Sequence, residues 1–317
     1  MKVLVFGGTG FLGSHLCEYL LKKKHEVGLY RRESSVHTAN IANLLEQVQD
    51  IHGEFSQEEH FDDIVAGYDC VYHLISATVP SKNDPMTDID AAIKPTLRLL
   101  DACVKHGVQK VVFFSSGGTV YGIPRSIPIK ENHPTDPISA YGIHKLALEK
   151  YIEYYHRMFG LDYTILRISN PYGERQRAFS SQGLIANILG RYLSGEPVDI
   201  WGDGSVTRDY IYVRDMVDAA ERVMSYTGEE KIFNVGSGRG YSVKEILSIV
   251  EDVVDSKIRV RNLPGRKQDV PINVLDVSRI RSELGWIPQT SLEMGIPRMI
   301  SSWNADTKAF DLATGGF

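Results

Sequence analysis

The sequence has little of what membrane, disulfide-rich or nucleic-acid-binding proteins need. Its 317 residues include three cysteines and carry a formal net charge of −5. No apolar run approaches the roughly 20 residues of a membrane span, and the negative charge offers no basic surface for nucleic acid. Cys17, Cys70 and Cys103 lack metal-ligand spacing, which favours free buried thiols in a reducing compartment. We therefore expect a cytoplasmic protein with no metal site, no nucleic-acid partner and no membrane association.

The chain does contain a Gly-rich turn between an apolar run and an amphipathic one. Residues 2–13 read KVLVFGGTGFLG, with glycines spaced G-x-x-G-x-x-G. The run 3–6 is typical of a strand buried on both faces of a parallel sheet, and the run 11–23 predicts a helix. Backbone N–H groups and the helix dipole at such a turn favour a dinucleotide pyrophosphate over an ordinary βα turn. The predicted cofactor contacts here are Gly7, Gly10, Phe11, Leu12 and Gly13.

Apolar runs alternate with helical patterns through the first half of the chain. Strands are predicted at 26–30, 48–53, 70–74, 110–114 and 163–167, with helices near 36–46, 57–67, 86–106 and 140–159. Strands separated by helices in this way indicate right-handed βαβ units. We therefore predict an α/β fold with a doubly wound parallel sheet, the Rossmann arrangement.

The second half is more mixed. Strands are predicted near 198–201, 210–212, 232–235 and 258–261, with helices near 182–194, 214–226, 242–254 and 291–303. Ser242 and Glu245 have the spacing of a capping box. We predict a dinucleotide-binding domain over 1–170 with a later return near 203–230, a smaller interleaved substrate domain over 171–305, and a tail at 306–317.

Arginines follow the second predicted strand, where many dinucleotide folds have an acid that binds the adenosine ribose. Arg31 and Arg32 can clamp a 2′-phosphate, which favours NADP, or they can stack on adenine or remain solvated. The cofactor is thus NAD or NADP. Leu74 and Ser76, after the fourth predicted strand, are further predicted cofactor contacts.

A tyrosine and a lysine lie four residues apart on the helix predicted at 140–159. Tyr141 and Lys145 therefore share one helix face. A nearby ammonium and a positively charged nicotinamide stabilise a phenolate, which makes Tyr141 a candidate general base or acid and Lys145 its helper and a cofactor ligand. Together with the Gly-rich turn, this pair predicts hydride chemistry.

These motifs resemble the extended short-chain dehydrogenase/reductase family, in its nucleotide-sugar epimerase/dehydratase branch. Further segments match the branch in order up to about residue 303, and the chain looks most like UDP-glucose 4-epimerase-like enzymes. The matching segments are GGTGFLG, VVFFSSGGTVYG (111–122), YGIHK, LRISNPYGERQ (166–176), WGDGSVTRDYIYVRD (201–215), RKQD (266–269) and SRIRSELGWIP (278–288).

The resemblance implies a set of contacts with the substrate diphosphate. Asn170 hydrogen-bonds a phosphate or sugar oxygen, and Arg208 and Arg266 clamp the diphosphate. The alternative for Arg208 is a surface salt bridge to Asp209 or Asp215.

The resemblance also implies contacts with the two nucleosides. Asp269 holds a ribose hydroxyl of the substrate, and Trp201 with the backbone of Asp199 covers the base. The alternative for Trp201 is a core aromatic. Glu54 falls where the family has an acid that contacts the cofactor adenine.

The chain departs from the family pattern at three positions. Gly117 stands where a Ser or Thr normally bonds the reacting sugar oxygen; Ser116 or Thr119 can supply this hydroxyl, or the catalytic tyrosine contacts the sugar directly. Thr78 replaces a lysine and Ala92 an asparagine, both near the cofactor.

The leading hypothesis is an NAD(P)-dependent UDP-sugar 4-epimerase that acts through a 4-keto intermediate, with NAD as its cofactor. The alternative is an NADPH-dependent 4-ketoreductase of a deoxysugar nucleotide, favoured by Arg31, Arg32 and Gly117. A third possibility is a non-catalytic NAD(P)-sensing protein. The resemblance also implies a homodimer formed by helices 86–106 and 140–159.

Overall fold

The computed structural model describes residues 1–33, 38–76, 85–179, 182–265 and 270–305. In chain order the strands are β1 (Lys2–Phe6), β2 (Glu26–Arg31), β3 (Gln49–His52), β4 (Cys70–His73), β5 (Lys110–Ser116), β6 (Asp162–Ile168), β7 (Asn170–Tyr172), β8 (Val198–Trp201), β9 (Thr207–Tyr212), β10 (Ile232–Val235), β11 (Gly240–Ser242), β12 (Val260–Leu263) and β13 (Ile272–Asn273). The helices are α1 (Phe11–Lys22), α2 (Phe61–Val65), α3 (Pro85–Asp88), α4 (Lys94–Lys105), α5 (Ala140–Phe159), α6 (Leu184–Ser194), α7 (Val213–Met224), α8 (Val243–Val254), α9 (Ser278–Leu284) and α10 (Leu292–Ala305). Within these ranges, no helix combines the length and apolar character needed to cross a membrane.

The main sheet has seven strands in the order β10-β6-β5-β4-β1-β2-β3. All of its neighbouring strands run parallel. Alternate residues of β1 enter the cores on opposite faces, Val3 and Val5 on one and Leu4 and Phe6 on the other. Such two-sided burial explains the unbroken apolar run. The predicted doubly wound Rossmann sheet is confirmed.

The second half of the chain forms smaller sheets but also returns to the main one. β7, β9, β11 and β13 form a four-stranded sheet, and β8 pairs with β12. β10 joins the edge of the main sheet beside β6, and α7 packs against α1. The capping box is confirmed, because Ser242 and Glu245 each accept a hydrogen bond from the other's backbone N–H.

The helix predicted near 36–46 is wrong over the residues that the structure describes. Two short 3₁₀ turns, Thr38–Ile41 and Leu45–Gln47, take its place. Nδ2 of Asn40 donates to the carbonyl of Thr9 at 3.0 Å. This bond ties the segment to the Gly-rich turn.

Other predicted elements differ in extent. The helix predicted near 57–67 is only α2, because Glu58 has an extended backbone (φ −67°, ψ 126°). A π-helical turn at Ile89–Ile93 separates α3 from α4 within the predicted helix 86–106. The short strands β7, β11 and β13 and helix α9 were not predicted, and Pro171 in β7 obscures a strand pattern. The predicted tail at 306–317 lies outside the described residues.

Candidate active site

A cavity of about 1040 Å³ lies at the carboxyl ends of β1, β4, β5 and β6. Ligands bind at this edge of an open α/β sheet, where the strand order reverses. The opposite wall is formed by β7, β9 and the start of α6. Pockets for one small ligand usually have volumes of about 300–1,000 Å³, so this cavity lies at the upper end of that range.

The Gly-rich turn forms one end of the cavity. Gly7 has a φ of +89°, and a Cβ on Gly13 would lie 2.2 Å from the Gly7 carbonyl oxygen. Glycine at 13 therefore allows α1 to start this close to β1. Gly10, at the N-cap, has no side chain to occupy the first N–H groups of α1, which suits an anion. All five residues predicted to contact the cofactor here line the cavity: Gly7, Gly10, Phe11, Leu12 and Gly13.

The predicted catalytic pair lies at the start of α5. The Ser139 hydroxyl caps this helix by accepting from the N–H of Gly142 at 3.2 Å. Tyr141 and Lys145 both line the cavity. Nζ of Lys145 lies 5.9 Å from the centre of the Tyr141 ring and donates to the carbonyl of Phe114 at 2.8 Å. The structure thus brings the two side chains together.

Burial dominates the proton affinities of this pair. It raises the pKa of Tyr141 to about 12, although hydrogen bonds with Ser76 and Ser116 act in the other direction. Burial lowers the pKa of Lys145 to about 8, and the charges of nearby acids oppose that change. Desolvation disfavours the charged form of each group. Tyr141 is therefore protonated at neutral pH in the protein alone, and its phenolate requires further positive charge in the cavity.

Packing explains the glycine at 117. A Cβ there would lie 2.6 Å from Cδ1 of Leu275. Both candidate substitutes for the missing hydroxyl line the cavity. Ser116 hydrogen-bonds with Tyr141, and Oγ1 of Thr119 is buried with no hydrogen-bond partner among the described residues. Both hydroxyls are therefore placed to meet a ligand.

Asn170 and Arg208 line the wall opposite the Gly-rich turn. Nδ2 of Asn170 donates to the carbonyl of Asp209 at 2.8 Å, which holds the amide at the cavity edge. Nη1 of Arg208 donates to a neighbouring backbone carbonyl at 2.9 Å. The other residues predicted around the ligands, Arg266, Asp269 and Thr78, lie outside the described residues.

The two carboxylates considered as partners of Arg208 bind backbone groups. Asp209 accepts from the N–H of Ser237 at 2.7 Å, and Asp215 accepts from the N–H of Thr290 at 2.8 Å. Burial raises the pKa of both acids, although these hydrogen bonds oppose the change. Asp209 and Asp215 therefore hold loops in place behind the wall that carries Asn170 and Arg208.

Residues 3–236 match the sequence profile of the NAD dependent epimerase/dehydratase family. The chain belongs to this family. A UDP-glucose 4-epimerase of Mycolicibacterium smegmatis is 34% identical over 310 residues, which are 95% of this chain and 97% of that protein. A dTDP-4-dehydro-6-deoxyglucose reductase of Escherichia coli is 31% identical over 312 residues, which are 96% of this chain and 95% of that protein.

Solved structures of the epimerase/dehydratase family share the whole fold. The UDP-glucose 4-epimerase of Thermotoga maritima, solved with UDP-glucose, has a TM-score of 0.91 and 34% identity, covering 97% of this chain and 100% of that one. The UDP-glucose 4-epimerase of Thermus thermophilus, solved with NAD, has a TM-score of 0.88 and 31% identity, covering 96% and 100%. The resemblance found in the sequence is confirmed.

Arg31, the last residue of β2, forms an ion pair that was not predicted from the sequence of this member of the epimerase/dehydratase family. Nε and Nη2 of Arg31 donate to the two carboxylate oxygens of Asp50 at 2.8 and 2.6 Å. These bonds hold the pKa of Asp50 below its usual range. Nε2 of His52 lies 3.0 Å from the same carboxylate. The other two predicted residues at this end, Arg32 and Glu54, are exposed.

The predicted base-binding residues lie on β8. Asp199 accepts two hydrogen bonds from Arg261, at 2.6 and 2.9 Å. Trp201 is 39% exposed, so it is not a core aromatic. Neither side chain belongs to the cavity wall formed by the described residues, and their contact with a base stays a prediction.

The sequence motifs did not single out two polar residues of the cavity, Ser169 and Gln176. Oγ of Ser169 and Oε1 of Gln176 are buried and have no hydrogen-bond partner among the described residues. Leaving such an atom unpaired costs about 1–3 kcal/mol, so both fit a polar ligand. Both residues lie within the segment 166–176, although only the folded chain shows which of its polar atoms are unpaired. Leu74 and Ser76 also line the cavity.

The side chains present suit an organic cofactor. Among the described residues, no group of three or more His, Cys, Asp or Glu is arranged to hold a metal ion. The glycine cradle and the unpaired polar atoms together fit a dinucleotide beside a second polar ligand.

Proposed function

We propose that this protein is a UDP-sugar 4-epimerase that interconverts sugars of the UDP-glucose and UDP-galactose type through a 4-keto intermediate. One observation carries the proposal: a single cavity joins the Gly-rich turn, the Tyr141–Lys145 pair and Arg208. Similarity to 4-epimerases over nearly the whole chain supports it.

The chain's own residues supply position and charge. Tyr141 takes the proton from the sugar 4-hydroxyl as a general base, and Ser116 holds the reacting oxygen. The Lys145 ammonium, fixed by the Phe114 carbonyl, stabilises the phenolate. Asn170 and Arg208 hold the diphosphate, so the sugar can turn over while the nucleotide stays bound.

The cofactor we propose is NAD. It would be held by the Gly-rich turn and Lys145 and would supply a reversible hydride acceptor for sugar carbon 4. The donors that Arg31 would offer a 2′-phosphate are occupied by Asp50, whose negative charge repels a phosphate. This ion pair supports NAD over NADP.

A second candidate is an NADPH-dependent 4-ketoreductase. The similarity to the E. coli reductase favours it, as does the absence of a hydroxyl at Gly117. A tyrosine that is protonated at neutral pH also suits a proton donor to a ketone.

We also propose a homodimer formed through α4 and α5. Four large side chains near the end of α5 are exposed in the single chain, and a second copy would cover them. They are Tyr151 (41% exposed), Tyr154 (49%), Met158 (59%) and Phe159 (52%).

The experiment that tests the function incubates pure protein with UDP-glucose, UDP-galactose and their N-acetyl forms, and follows the products by NMR. Interconversion without net change in nicotinamide absorbance is the expected result. Oxidation of NADPH by a 4-keto nucleotide sugar, without interconversion, would establish the reductase instead. Tight binding of the cofactor without binding of any nucleotide sugar would favour the third possibility, a non-catalytic NAD(P)-sensing protein.

A further inference from the structure

A second, much smaller cavity lies beside the catalytic pair. Its volume is about 10 Å³, and Tyr141 and Lys145 line it together with Asp88 and His144. A cavity of this size holds about one water molecule at most, so charges that face it are weakly screened. The catalytic pair therefore meets titratable groups outside the main cavity.

Asp88 and His144, which both line this small cavity, are hydrogen-bonded to each other. Nδ1 of His144 donates to Oδ2 of Asp88 at 2.7 Å. The side chain of His144 is 11% exposed and that of Asp88 is 5% exposed. His144 lies on α5 between Tyr141 and Lys145, whereas Asp88 ends α3. The pair is therefore a buried connection between these two helices at the catalytic turn.

The polar group that the family pattern places near here is missing. Ala92 lines the small cavity at the position where the resemblance leads us to expect an asparagine. Besides Ser76 and the catalytic pair, the polar side chains that line the same space are Asp88 and His144. This chain therefore has a polar pair, and not an asparagine, on this side of the catalytic turn.

The other charged groups around the pair are accounted for. On α5, Glu149 is fully buried and accepts from Nη2 of Arg167 at 2.7 Å. On β4, burial lowers the pKa of His73 to about 3, so this imidazole is neutral. Asp90 pairs at the surface with Lys94.

Asp88 acts on both members of the catalytic pair. Its charge raises the pKa of Tyr141 and that of Lys145. For Lys145 it is the largest influence opposing burial, ahead of Glu149. One carboxylate thus favours the ammonium and disfavours the phenolate.

We propose that Asp88 and His144 are a positioning pair, in which His144 holds the Asp88 carboxylate against the catalytic turn and this carboxylate sets the pH range in which Tyr141 can act. The inference rests on the proposed role of Tyr141. Removing the carboxylate charge makes the phenolate easier to form and the ammonium easier to deprotonate. Both transitions then move to lower pH, whereas a purely structural role would leave them in place.

The test measures the phenolate absorbance of Tyr141 against pH in the NAD-loaded protein. Subtracting the Tyr141→Phe spectrum isolates this residue from the other tyrosines, of which the chain has 16 in all. Asp88→Asn, which keeps the shape and an acceptor, is expected to lower the midpoint by about one pH unit. His144→Leu removes the hydrogen-bond donor that holds this carboxylate against the catalytic turn, so the midpoint is expected to move away from that of the parent protein.

Asp90→Asn is the matched control, since it makes the same change two residues away at an exposed ion pair. An unmoved midpoint in Asp88→Asn or in His144→Leu would overturn the positioning pair, and so would an equal shift in Asp90→Asn. Thermal unfolding shows that each variant is folded. The titration uses no sugar, so its outcome is independent of whether the protein proves to be an epimerase.

Discussion

The two walls of the main cavity are built in different ways. The wall at the main sheet consists of a glycine turn and the Tyr141–Lys145 pair on α5, held by backbone elements that are continuous with the sheet. The opposite wall presents Asn170 and Arg208, whose surroundings depend on loops tied down by Asp209 and Asp215. Under the proposed function, we infer from this difference that the first wall determines the chemistry and that the second selects the nucleotide sugar.

The largest expected effect comes from Tyr141, the proposed catalytic tyrosine. Tyr141→Phe should lower kcat about 10²–10⁴-fold, because it removes the group that transfers the proton. KM for the sugar nucleotide should change little, since the contacts of the opposite wall remain. Tyr151→Phe, an exposed tyrosine on the same helix, is the control. Undiminished turnover by Tyr141→Phe would show that the sheet wall does not determine the chemistry.

The glycine turn should be the next most sensitive feature. Gly13→Ala puts a Cβ 2.2 Å from a backbone oxygen, so α1 must move away from β1. We expect a loss of about 1–3 kcal/mol in the free energy of unfolding and weaker NAD binding, measured by denaturant unfolding and fluorescence titration. In Gly118→Ala the nearest atom lies at 3.9 Å, so stability should stay near that of the parent. Equal effects of the two substitutions would rule out the steric argument.

Arg208→Ala tests the opposite wall. Loss of charge-assisted hydrogen bonds of about 1.5–3 kcal/mol should weaken UDP-sugar binding roughly 10–100-fold, with NAD binding unchanged. Isothermal titration with each ligand separates the two effects. Arg222→Ala, an exposed arginine paired with Asp218, should leave both affinities unchanged. A large effect of Arg208→Ala on NAD binding would show that the two walls do not bind different ligands.

The smallest expected effect concerns the adenosine end of the cofactor. Asp50→Ala frees Arg31 and removes a negative charge, so NADP affinity should rise several-fold relative to NAD. Fluorescence titrations with both nucleotides measure the ratio. The gain should vanish in the double variant Asp50→Ala/Arg31→Ala. A ratio that is unchanged by Asp50→Ala would show that this ion pair does not determine the preference.

Much of the sheet wall could be predicted because its signals are local. The strand, glycine spacing and helix lie within residues 2–23, and Tyr141 and Lys145 are one helical turn apart. The reason for Gly117 was not predictable, since it depends on the distant Leu275. The missed strand β7 is short, contains Pro171, and exists because β9 pairs with it.

Local pattern was thus sufficient for the fold class, for the Gly-rich turn before α1 and for the shared helix face of Tyr141 and Lys145, because period and spacing determine which residues share a strand end or a helix face. Only folding decided the partners of the charged groups. Arg31 meets Asp50 from 19 residues away, and His144 meets Asp88 from 56. Such pairs join segments that lie side by side only after the sheet forms, and neither spacing nor composition encodes which acid will face which base.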